Sequence, residues 1–78
     1  MEKNTIYVID YNMGIYVYKG IEYILSPTIK RDLTNSGQIN ALAKYLKIKN
    51  KKFYVEFCGY YSDVFESVTR QPIYITSY

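Results

Sequence analysis

The residue pattern predicts an α+β domain: a small, mostly antiparallel sheet of four or five strands with one main helix packed on one face. Three observations carry that expectation. Runs rich in β-branched and aromatic residues lie at both ends of the chain, as pleated, half-buried strands prefer. Between them, Ile39, Leu42, Ala43 and Leu46 recur at i, i+3, i+4 and i+7, the spacing of one helix face. Glycines and prolines separate these segments where turns and stops are needed. The predicted order is β-β-(β)-α-β-(α)-β, in a single domain over residues 1–78.

Residues 5–11 (TIYVIDY) form the first predicted strand. Asn12-Met13-Gly14 reads as a three-residue hairpin loop, with glycine at the left-handed position. Residues 15–18 return as a second strand. Lys19-Gly20 is either a tight turn or a glycine bulge, and residues 21–25 continue as strand, so a three-strand meander is preferred to one long bent strand.

Ser26-Pro27 ends the strand and opens a short helical turn, because serine caps a helix and proline fits its first position. The main helix is expected from Asn35 or Ser36, with Asn35 and Gln38 at capping-box spacing. Lys44, Lys47, Lys49, Lys51 and Lys52 gather at its end, where positive charge complements the helix dipole. Phe53, Val55 and Phe57 then alternate with Tyr54, Glu56 and Cys58, predicting a strand with the first set in the core. Ser62 or Asp63 caps a second short helix to about Thr69. Pro72 opens a last strand, 73–78, whose proline implies an edge position.

Composition narrows the chemistry. With 49% hydrophobic and 22% charged residues the chain has the balance of a folded domain rather than a disordered one. The single cysteine, Cys58, excludes an internal disulfide framework and suits a reducing cytoplasm. No apolar run approaches the ~20 residues of a membrane helix, so no membrane role is expected. There is no histidine and no tryptophan. Acid–base catalysis at neutral pH most often recruits histidine, and Cys58 has none to activate it, so an enzyme is not expected. No cofactor or metal is expected either. The weakest reading keeps Asp10 and Glu56 as Mg²⁺ ligands of a nuclease, against the plainer one of solvated strand acids.

The prominent feature is tyrosine, eleven in 78 residues. Tyr7, Tyr11, Tyr16 and Tyr18 are predicted to share the face of the first hairpin that the helix leaves open, with Ile6, Val8, Ile15 and Val17 beneath the helix. A one-residue slip would invert one set. Tyrosine offers a large, stiff contact with a hydroxyl at its rim, and interface hot spots are rich in it. The sequence therefore suggests a non-catalytic protein that docks on a protein partner through Tyr7, Tyr11, Tyr16 and Tyr18, oriented by Asp10 and Glu22. Tyr60, Tyr61 and Tyr78 extend that surface. The alternative is single-stranded nucleic-acid binding, with the same rings stacking on bases and Lys44, Lys47, Lys51 and Lys52 on phosphates. The formal net charge of +3 agrees with it, but the seven acids dilute the field and no RNA-binding signature is present. A competing explanation is codon usage: Ile, Lys, Asn and Tyr all have A/T-rich codons, so a low-GC genome raises the tyrosine count without selection for binding.

No stretch carries the motif of a known family. In size and composition the chain resembles small single-domain proteins of phages and viruses, which often inhibit a host enzyme or defence system by occupying its surface. That resemblance implies action in the host cytoplasm. A homodimer through the last, edge strand is a further expectation.

Overall fold

A computed structural model describes residues 4–49, 52–57 and 69–76. Five strands and two helices follow one another: β1 (Thr5–Asp10), β2 (Ile15–Tyr18), β3 (Ile21–Leu25), α1 (Pro27–Asp32), α2 (Asn35–Tyr45), β4 (Tyr54–Phe57) and β5 (Thr69–Ile75). The strands form one sheet in the order β4-β1-β2-β3-β5. The meander β1-β2-β3 is antiparallel, and β4 and β5 add in parallel to β1 and β3 at the two edges. The fold is thus α+β with a mixed, mostly antiparallel sheet. The second short helix expected from residue 62 lies, up to residue 68, outside the described residues, as do Lys51, Cys58, Tyr60, Tyr61 and Tyr78.

Turn chemistry explains the meander. Lys19 (φ 49°) and Gly20 (φ 75°) are both left-handed, the signature of a two-residue turn whose twist matches the flanking strands. Gly14 (φ 67°) closes the first loop, where its N–H donates to the Tyr11 carbonyl at 3.2 Å. Asp10 secures the same loop: its Oδ1 accepts from the N–H of Asn12 at 2.8 Å and of Met13 at 3.1 Å.

Ser26 caps α1 with Pro27 in its first turn, and the Ser26 N–H donates to the Ile75 carbonyl at 3.0 Å, tying β5 to the helix start. The cap of α2 is Thr34 rather than Asn35: its hydroxyl accepts from the Gly37 N–H at 3.2 Å. Threonine wins because Asn35 already has helical geometry, leaving residue 34 as the extended flank that a cap requires. At the other end, Ile48 N–H reaches the Ala43 carbonyl and Lys47 N–H the Lys44 carbonyl, both at 3.1 Å. This is a Schellman closure with Lys47 (φ 57°) where glycine is usual.

The core lies between the helices and one sheet face. It contains Ile6, Val8, Tyr16, Tyr18, Tyr23 and Leu25 from the sheet, Ile75 from β5, and Ile29, Ile39, Leu42 and Ala43 from the helices. Tyr16 and Tyr18 are therefore buried, at 0% and 8% exposure, where an open-face position was expected. The cause is one extra residue. The loop closes with Asp10 opposite Ile15, a register that, continued, would place Tyr7 against Tyr18 and gather the tyrosines on one face. Ile9 bulges out of the ladder, and beyond it Val8 pairs with Tyr16 and Ile6 with Tyr18. The bulge inverts the facing of β2 against β1. Ile15 and Val17 consequently join Tyr7 and Ile9 in a smaller cluster on the opposite face.

Energetics favour this inversion. A buried phenol ring removes roughly 150–250 Å² from water, worth about 4–6 kcal/mol at ~25 cal/mol per Å². An unpaired buried hydroxyl would cost about 1–3 kcal/mol. Here both hydroxyls are bonded: Tyr16 donates to Gln38 Oε1 at 2.9 Å and Tyr18 to Asn4 Oδ1 at 3.0 Å.

The edges differ from expectation in detail. β5 begins at Thr69, so Pro72 sits within the strand, at a register shift on the outer edge where its missing N–H is harmless. Phe53, just before β4, and Val55 within it pack against the core as expected, but Phe57 is 68% exposed because the strand is an edge. Among the described residues, no helix is long and apolar enough to cross a membrane.

Candidate functional site

The expected patch divides into three parts. Tyr16 and Tyr18 belong to the core. Tyr7 lies on the sheet face away from the helices, half-buried in a row with Glu56, Val17 and Glu22, its register neighbours. Tyr11 is at the end of β1, half-buried against the core, and meets Phe57. The docking surface expected from four tyrosines together does not form.

A different apolar surface stands in its place, at the end of the sheet where β1 and β4 finish. Phe57 and Tyr11 meet edge to face, with centroids 5.4 Å apart and planes at 60°. Tyr11 in turn meets Tyr16 at 6.1 Å and 74°, and Tyr16 bonds Gln38. Gln38 is itself buried, and its Nε2 donates to the carbonyls of Lys30 (3.4 Å) and Leu33 (3.5 Å) at the corner between α1 and α2. An unbroken chain of contacts thus leads from an exposed ring to the centre of the core. Met13, 56% exposed, projects from the adjoining loop that Asp10 locks.

The electrostatics of this chain are those of neutral phenols. Burial pushes the Tyr16 hydroxyl far above the ordinary tyrosine range, with nearby Tyr11 adding to the shift. Tyr11 is raised by burial alone. Tyr23, edge-on to Tyr45 at 6.2 Å, is raised by burial first and then by Tyr45 and Tyr18. None of these hydroxyls is poised to lose a proton near neutrality, so they act as hydrogen-bond donors and packing surface.

Other expected residues are placed as follows. Lys44 and Lys47 line an open groove of about 450 Å³ on α2, with Asn40, Ala41, Gly37, Leu33 and Ile48. Lys52 is exposed just before β4. The helices cover the face opposite Tyr7, so rings and α2 lysines do not share a platform for a single strand. Asp10 is occupied by its loop. Among the described residues, no three histidine, cysteine, aspartate or glutamate side chains come together as a metal site.

Sequence reasoning missed Phe57 and the outer aromatics Tyr54 (60% exposed) and Tyr74 (62% exposed). A phenylalanine alternating within a strand reads as core. The topology, which puts β4 at an edge, turns Phe57 outward, whereas the alternation already set Tyr54 away from the core. No family model, curated protein or solved structure matches the chain.

Proposed function

We propose that this chain is a non-catalytic binding protein that docks a protein partner at the corner formed by Phe57, Tyr11 and Met13. The observation that carries the reading is Phe57, a phenylalanine left 68% exposed yet braced edge-on by Tyr11. Aromatic anchors of this kind dominate binding energy when a partner buries them. Preorganisation supports it as well. Asp10 holds the Met13 loop through two backbone hydrogen bonds, and Tyr11 is fixed against the buried Tyr16, so little conformational freedom is lost on docking. Occlusion of a partner's surface needs no catalytic group, which agrees with a chain that has no histidine. Such occlusion is how a small viral protein would inhibit a host enzyme or defence complex.

The test is affinity capture from a host lysate, with and without nuclease, using the tagged chain and a Met13→Ser/Phe57→Ser variant. Both side chains are exposed, so the variant should fold, as circular dichroism will check. The reading expects nuclease-resistant capture of a protein that the variant loses at least tenfold. Undiminished capture by the folded variant, or capture abolished by nuclease, refutes it.

A further inference from the structure

β4 is an outer strand of the sheet. In the parallel ladder the Tyr54 N–H donates to the Asn4 carbonyl, so residues 54 and 56 turn their backbone groups toward β1. Phe53, Val55 and Phe57 therefore direct theirs outward. No described strand lies on that side, and β4 contains no proline. The opposite edge is blunted by Pro72 and by the register shift in β5. Of the two edges, β4 and not the last strand is the one suited to an added strand.

Self-pairing is constrained by symmetry. Two antiparallel copies exchange hydrogen bonds only between outward-facing residues, so the numbers of paired residues must sum to an even value. Registers centred on Tyr54, Val55 or Glu56 satisfy this within β4. The one on Val55 sets Tyr54 against Glu56 of the second copy, and the one on Glu56 sets two carboxylates against each other. The one on Tyr54 sets Phe53 against Val55 and places Lys52 opposite Glu56 twice over. Only this last register pairs opposite charges, and it joins the half-buried Phe53 and Val55 into an apolar strip continuous with both cores.

We propose that the protein forms a two-fold dimer in which β4 pairs antiparallel with β4 of a second copy about an axis at Tyr54, with Lys52 opposite Glu56 across the seam. Phe57 lies three residues from the axis on each side, so the two rings sit about 20 Å apart at ~3.3 Å per residue. The dimer presents two docking corners at opposite ends of one seam. The strip is short, well below the ~1,200 Å² of a standard interface, so association is weak and concentration-dependent.

Sedimentation equilibrium from about 0.01 to about 1 mM tests it, a range suited to a small interface. The wild type should move from monomer to dimer across that range. Glu56→Lys places like charges opposite each other at both symmetric pairs and should raise the dissociation constant about tenfold. Lys52→Glu combined with Glu56→Lys should restore it. In a Cys58→Ser background, Tyr54→Cys should oxidise to a covalent dimer faster than Phe57→Cys, because only position 54 meets its own copy across the axis. A wild type that stays monomeric to the top of the range leaves the edge to a foreign strand and overturns the proposal. So does a dimer indifferent to the charge reversal, or one that the double exchange fails to restore. None of these readouts measures capture of a protein partner, so the two readings stand or fall separately.

Discussion

The Tyr16 hydroxyl donates to Gln38 Oε1 at 2.9 Å inside the core, joining the central strand to the main helix. Gln38 is the buried polar side chain of that layer, and its amide also reaches the carbonyls of Lys30 and Leu33. Tyr16→Phe strands the Gln38 oxygen without a donor and should cost about 1–3 kcal/mol. Adding Gln38→Leu should recover part of that loss, since both partners are then apolar. Urea denaturation of the two single variants and the double variant measures the coupling.

Alkaline pH should weaken the protein through the same residue. Tyr16, Tyr23 and Tyr11 have folded-state values above the ordinary tyrosine value of 10.0. The folded state therefore holds protons that the unfolded chain releases. That contribution is complete below pH 10 and is lost as pH rises through the folded values, at up to about 1.4 kcal/mol per pH unit for each fully linked tyrosine. Urea midpoints should show no tyrosine-linked change between pH 7 and 9, then fall steeply. Tyr16→Phe should have a shallower fall; an unchanged slope would exclude Tyr16 as a source.

Lys47 closes α2 in a left-handed conformation (φ 57°) that a side chain disfavours. Lys47→Gly relieves a penalty of about 1 kcal/mol, partly offset by the greater freedom of glycine in the unfolded chain. The net gain should be a few tenths to about 1 kcal/mol, read as a rise in thermal midpoint. Thr34→Ala at the other end of the helix should lose about 1 kcal/mol.

Gly14→Ala tests the first loop. At φ 67° a Cβ would lie 2.7 Å from Lys30 Cδ and 3.2 Å from Leu25 Cβ. The lysine can swing away, but the backbone strain stays, so the variant should lose about 1–2 kcal/mol in chemical denaturation.

Where local chemistry decides structure, the sequence was legible. Ser26-Pro27 started a helix, Lys19-Gly20 made a tight turn, and Ile39, Leu42 and Ala43 formed the buried stripe of α2. Pro72 marked an edge. What escaped was non-local. The bulge at Ile9 has no glycine to announce it, so the facing of Tyr16 and Tyr18 was inverted. The exposure of Phe57 depends on β4 being outermost, and no pattern within four residues reveals a strand's neighbours. The candidate site inherited both errors: Tyr11 and Asp10 stayed near it, Tyr16 became its foundation, and Phe57 entered unannounced.

The extra residue at position 9 has a consequence for how this chain can change. Substitutions along the first hairpin alter single contacts, whereas deleting Ile9 would set Val8 directly beside Asp10 while their partners Tyr16 and Ile15 stay as they are. The ladder would then run without interruption, the phenols would remain under the helices, and the change would be confined to the loss of the Ile9 side chain beside Val17. Tolerance to a lost letter should accordingly be greater here than at the regularly paired positions on either side, where the same loss would turn one strand inside out.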